Sequence, residues 1–171
     1  MSDVLLLNTT GSPVSMLPLS VISWQEAIRY MVLEKVSVLD WYDNWVVHSS
    51  NWETKVPAVI MLREYSDKKS HLRYSKANVF LRDEYKCQYC GDDVYGNKKA
   101  TLDHVLPVSH GGKTNWENST TACGPCNSAK GNNHKIKPAK APHKPSYWEL
   151  VEKRKKMPFN CRHPSWEYFL G

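Results

Sequence analysis

No apolar run in the 171 residues approaches the ~18 positions that a membrane-crossing helix needs, and no internal repeat is found. The opening MSDVLLLNTTG has neither the basic flank nor the long apolar core of a secretory leader. The expected location is therefore cytoplasmic, with no membrane partner. At 19.7 kDa the chain is too short for several domains around a large cofactor fold. Core material is not scarce, however. With 41% apolar residues and seven Trp, the chain has too much of it to be intrinsically disordered.

Acidic side chains are in short supply in only one part of the sequence. Lys and Arg number 23 against 17 Asp and Glu, a net charge of +6 with an isoelectric point of about 9.0, which points to an anionic partner. Residues 1–75 hold 7 basic and 8 acidic side chains, net −1, and residues 76–171 hold 16 and 9, net +7. From Lys130 to Arg162, ten basic residues face only Glu149 and Glu152, interleaved with Pro138, Pro142, Pro145 and Pro158. This reads as an extended basic arm interrupted by one short helix, Ser146 to Lys156. Its Lys135, Lys137, Lys140, Lys144 and the run Lys153 to Lys156 can neutralise phosphates without reading sequence.

The N-terminal part reads as a small α+β unit. Val4 to Leu7 suits a buried strand closed by the Gly11/Pro13 turn. Ser23 and Glu26 have capping-box spacing, and Trp24, Ala27, Ile28, Met31 and Val32 follow at helical intervals. Val36 to Leu39, Trp45 to Val47 and Ala58 to Leu62 favour strands. A second helix is expected from Lys76 to about Glu84, capped by Ser75, with Ala77, Phe80 and Leu81 toward the core. Trp41, Trp45 and Trp52 are read as core rather than as a base-stacking platform. The aromatic ending around Trp166, Tyr168 and Phe169 is apolar enough to fold back on the body. His48, His71, His134, His143 and His163 have no evident partner and are read as surface or structural.

The cysteine count is odd, but four of the five stand in two pairs, Cys87/Cys90 and Cys123/Cys126, with Cys161 alone. In a reducing compartment this suggests a metal site rather than disulfides. Four thiolates satisfy a tetrahedral Zn²⁺ at ~2.3 Å and leave no position for water or substrate, so such a site is structural. A redox dithiol is the competing reading of either pair, and Cys161 is expected to be a tolerated thiol. The 32 residues between Cys90 and Cys123 exceed a zinc-ribbon interval, so a functional insert is expected there.

That insert contains Leu102-Asp103-His104 running to Pro107, then Gly111-Gly112, Glu117-Asn118, and Cys126-Asn127 running to Lys130-Gly131. Over Lys86 to Gly131 the sequence resembles the HNH endonuclease family, in an HNN variant. The resemblance implies a ββα-metal (His-Me finger) core, with His104 as general base, Asp103 and Asn127 as ligands of a catalytic divalent ion, and Asn118 orienting the His104 loop. The residue chemistry agrees. Asp103 and Asn127 offer hard oxygens suited to Mg²⁺ or Mn²⁺, and the imidazole of His104 is a side chain that can accept a proton from water at neutral pH. On a strand, though, Asp103 and His104 would face opposite ways. Pro125 suits the first turn of a helix after Cys123, on which Lys130 lies three residues beyond Asn127 and could meet a phosphate. Lys113, His110, Lys135 and Lys137 complete the candidate DNA contacts.

The chain ahead of this core is similar to the N-terminal region of a bacterial and phage branch of the same family, which implies a bacterial or phage-infected cell. The expected fold class is α+β, divided into an N-terminal region (1–74), a nuclease core stapled by zinc (75–133) and a basic C-terminal arm (134–171). The expected activity is metal-dependent hydrolysis of DNA, expected to be double-stranded, and the family resemblance implies 5′-phosphate and 3′-hydroxyl ends. One such site cuts one strand, so a double-strand break needs a homodimer or two nicks. A zinc-stabilised nucleic-acid-binding module without hydrolysis is the alternative, and a thiol oxidoreductase a third reading.

Overall fold

In the computed structural model, which describes residues 3–67, 72–96 and 100–170, Val4–Leu7 forms β1 and is buried along its whole length. His71 lies outside the described residues. β1 pairs antiparallel with the short β2 (Val21–Ile22) and parallel with β4 (Glu53–Leu62), which pairs antiparallel with β3 (Val36–His48), giving the order β2-β1-β4-β3. The two strand runs expected at 36–39 and 45–47 are thus one strand. The residues between them are absorbed by register shifts from Val38 to Val46, bulges that let β3 keep pairing with β4.

The sheet is covered on both faces, which is why β1 carries no polar side chain. Val4, Leu6, Val56 and Ile60 pack with Ala27 of α1 (Trp24–Val32), while Leu5, Leu7, Ala58 and Val59 pack with Trp166 and Leu170. Ser23 caps α1 by accepting from the Glu26 N–H at 3.2 Å. Trp24 and Met31 face the core as the periodicity predicts, but Val32, in the last turn, is exposed. Trp45 packs against the core, whereas Trp52, in the β3–β4 loop, is exposed.

The chain divides into two units: residues 1–70 with 157–171, and residues 71–156. The expected basic arm is therefore two pieces. Residues 157–171 belong to the sheet unit because Trp166 and Leu170 supply its apolar cover, and the Trp166 indole N–H donates to the Ala58 carbonyl at 2.9 Å. Cys161 packs there as well and is not one of the four clustered cysteines. Arg162 and His163 reach Asp3 and Asp40 at 3.3 and 3.5 Å.

The second unit begins with α2 (Lys76–Arg82), capped by Ser75. Its buried residues are Val79, Phe80, Leu81 and Arg82. Ala77 is exposed, because it lies ~200° around the helix from Val79. Beyond Asp83 the backbone is left-handed at Glu84 and Tyr85 (φ 55° and 53°), which costs about 1–2 kcal/mol each. Edge-on packing of the Tyr85 ring against Phe80 and Tyr95 offsets part of that cost and delivers the chain to Cys87. β5 (Ala100–His104) and β6 (Ser119–Cys123) form an antiparallel pair, and α3 (Gly124–Lys130) follows β6 without a break. This is the expected ββα arrangement.

α4 (Tyr147–Lys155), capped by Ser146, packs on α2 through a face that buries Leu150 and Val151. A short helix, α5 (Glu167–Leu170), ends the described chain in the sheet unit. Among the described residues no helix is long and apolar enough to cross a membrane.

Candidate active site and metal centre

The sulfurs of Cys87, Cys90, Cys123 and Cys126 all lie within 4.8 Å of one another, with Cys90 and Cys123 3.8 Å apart. Sulfurs held ~2.3 Å from one tetrahedral ion would be ~3.8 Å apart, so the geometry fits a metal ion. Two loops create it. The first pair sits on a turn in which the Gly91 N–H donates to the Cys87 carbonyl, and Cys123 ends β6 while its Sγ caps α3 through the Cys126 N–H at 3.5 Å. Burial pushes the Cys87 thiol up, but backbone hydrogen bonds at Cys90, Cys123 and Tyr89 outweigh it and bring it down to about 7. A backbone hydrogen bond at Asp92 favours the Cys90 thiolate, but the Cys87 sulfur beside it pushes that thiol up to about 11. Sulfurs this close oppose one another's ionisation unless a cation is shared among them.

At the end of β5, Asp103 is buried and His104 half-buried. Asp103 faces α3: its Oδ1 accepts from the Lys130 ammonium at 3.0 Å, and its Oδ2 accepts from the Tyr89 phenol at 2.5 Å. Burial, and then the hydrogen bond to the Asp103 carboxylate, hold the Tyr89 phenol far above its usual value, so it remains a donor. Asn127 also meets β5, its Nδ2 donating to Thr101 Oγ1 at 3.2 Å, two residues before Asp103 on the same face. Its carbonyl oxygen is left as the atom to offer a cation. A carboxylate has about four lone-pair sites, of which Lys130 and Tyr89 occupy two. The donor set therefore fits a hard divalent cation that shares Asp103 with these two residues.

His104 is held separately, with Nε2 2.9 Å from Thr114 Oγ1. The loop between them is closed by Asn118, whose Oδ1 accepts from the Leu106 N–H at 2.8 Å and whose Nδ2 donates to the carbonyls of Leu106 and Lys113 at 3.0 and 2.9 Å. Gly112 is required by this closure. A Cβ there would lie 1.8 Å from the Leu106 carbonyl oxygen.

Lys130 departs from expectation. It is buried, and its ammonium serves Asp103 and the His104 carbonyl, at 2.8 Å, instead of projecting toward a phosphate. Lys113, His110, Lys135 and Lys137 are exposed. His110 and His134 pack as a pair with ring centroids 5.4 Å apart. Other histidines also acquire neighbours: His48 lies 3.4 Å from Glu53 and His143 3.3 Å from Glu149. Within the arm, Lys153 pairs with Glu149 and Glu84 and donates to the Arg82 carbonyl, and Lys155 pairs with Glu152, so these lysines are less available to phosphates than composition implies.

Sequence reasoning missed Tyr89, Thr114 and Arg82. Tyr89 carried a signal of sorts, as the aromatic residue inside the first cysteine pair. Thr114, ten residues from His104 across a folded loop, carried none.

Residues 87–133 match the HNH endonuclease family model, and residues 4–70 match the model of the HNH endonuclease-associated, N-terminal domain. No curated protein and no solved structure matches the chain. The two family matches lie in the same order as the two kinds of structure, a covered sheet and then a cysteine-stapled ββα element. The family match implies nuclease activity in general and DNA as the class of substrate. Residues 87–133 are therefore an HNH endonuclease domain by family match, with an HNH endonuclease-associated, N-terminal domain ahead of it.

Proposed function

We propose that this protein is a divalent-metal-dependent endonuclease that hydrolyses phosphodiester bonds in double-stranded DNA, with His104 as the general base and Zn²⁺ in the four-cysteine centre. The observation that carries this reading is the convergence on β5: α3 reaches the strand through Asn127 at Thr101 and through Lys130 at Asp103, two residues on along the same face, and His104 at the strand's end is held by Thr114. When bound by Asp103 and Asn127, a divalent ion supplies charge neutralisation at the phosphate and at the leaving oxygen. The protein's own residues do the rest. In the tautomer whose Nε2–H donates to Thr114, His104 Nδ1 accepts a proton from the attacking water. As the water oxygen bonds to phosphorus, the bond to the 3′ oxygen breaks and that oxygen takes up a proton from solvent water, which leaves a 5′-phosphate and a 3′-hydroxyl; His104 then returns its proton to solvent. Asn118 holds the loop that presents His104 and Thr114, and exposed Lys113, Lys135 and Lys137 contact backbone phosphates.

One observation favours the rival reading of a binding module without hydrolysis: both Asp103 oxygens already have donors. A plasmid-nicking assay in Mg²⁺ or Mn²⁺, run beside metal quantification, separates the two. Wild type should nick, and His104→Ala should lose nicking by ~10²–10⁴-fold while retaining zinc. Intact plasmid with both proteins, across several divalent ions, would leave the binding-module reading standing.

A further inference from the structure

The two donors that hold Asp103 come from the two segments that carry the cysteines. Tyr89 lies between Cys87 and Cys90 and packs beside Cys87, Val94 and Ala122. Lys130 lies on α3, four residues past Cys126 and so about one turn along the same helix. One segment reaches Oδ2 and the other Oδ1. A single donor would leave the carboxylate free to turn about its Cβ–Cγ bond, whereas donors on both oxygens set its plane.

We propose that Tyr89 is a positioning residue, which sets the orientation of Asp103 from within the first cysteine pair and so couples the four-cysteine centre to divalent-ion binding at Asp103 and Asn127. The inference rests on the reading of Asp103 and Asn127 given under the proposed function. Without the phenol, Oδ2 is free to swing toward the Lys130 ammonium, and the carboxylate then offers the cation a partly screened face. Partners of this kind, which touch a ligand rather than the metal, are worth ~10–100-fold in metal affinity.

The test compares wild type with Tyr89→Phe and Tyr89→Leu, using Mn²⁺ binding to the DNA-free protein by electron paramagnetic resonance. In parallel, Co²⁺ is placed in the cysteine centre and its absorption recorded. Both variants are expected to keep the wild-type Co²⁺ spectrum and to bind Mn²⁺ ~10–100-fold more weakly. Wild-type Mn²⁺ affinity in either folded variant would overturn the inference and leave the nuclease reading intact. A changed Co²⁺ spectrum in Tyr89→Phe would also overturn it, since Tyr89 would then be shaping the cysteine centre itself. If wild type took up no Mn²⁺, the assignment of Asp103 and Asn127 would fall first, and the inference with it.

Discussion

Every N–H of the Arg82 guanidinium has a partner within the second unit. Nε and one Nη2 hydrogen meet the two oxygens of Asp83 at 2.8 and 3.1 Å, and the others reach the carbonyls of Trp116, His143 and Ser119 at 2.8–3.0 Å. Asp83 in turn accepts from the Thr121 N–H at 2.8 Å, so one ion pair ties α2 to β6 and to the loop ahead of it. Removing one member of a buried pair leaves the other charged and alone, which costs about 3–5 kcal/mol. Arg82→Met should lower the urea midpoint of the second unit accordingly. None of this was legible in the sequence, where an Arg at the end of a helical run reads as solvated. Asp40 gives a pH-dependent case. The Ser165 hydroxyl, the Trp41 N–H and His163 hold its carboxyl below the usual carboxylate range, although burial opposes them. A folded value below the unfolded ~3.9 means that the stabilisation is present above that pH and is lost as pH falls through the folded value. Because Asp40 is 43% exposed, screening keeps the effect small. Protection factors at Ser165 and Trp166, taken relative to intrinsic exchange at each pH, should fall slightly below about pH 4, and Asp40→Asn should abolish that fall.

At the scale of elements, legibility followed how local the cause was. β1, the caps at Ser23, Ser75 and Ser146, and the helix at 147–155 were readable because each rests on a few neighbouring side chains. The continuity of β3 was not, since its bulges are set by registration against β4. The phase of α2 was misread because a buried Arg contradicts the apolar pattern that marks an inner face. The cysteine pairs were legible as a candidate metal site, and the structure adds that they join a turn to the end of β6 and the start of α3. Chelation, or Cys126→Ser, should therefore unfold β5, β6 and α3 as one element. In hydrogen exchange, protection of Thr101–Asp103 and Thr120–Ala122 should fall together while Leu5–Leu7 keep theirs. Retained protection of β6 after metal removal would mean that the ββα element stands without the ion.

Across the whole chain the net charge overstates the basic surface. Lys130 is buried, and Lys153 and Lys155 have acidic partners, so Lys135 and Lys137 stand among the exposed cations that remain. Each phosphate neutralised contributes ~0.9 to the slope of log K against log salt. Lys135→Ala with Lys137→Ala should therefore lower that slope by ~1.8 and weaken binding to unrelated DNA sequences alike, as read by fluorescence anisotropy across a salt series. An unchanged slope would place the DNA elsewhere.

The return of residues 157–170 to the sheet unit has a consequence for synthesis. A ribosome makes the N-terminal strands first, then the entire nuclease segment, and only afterwards Trp166 and Leu170. During that interval Leu5, Leu7, Ala58 and Val59 lack their cover, while the ββα element already has all of its residues. The order of emergence thus runs opposite to the order of completion: the inserted unit can mature first, and the host sheet is the last part of this chain to close.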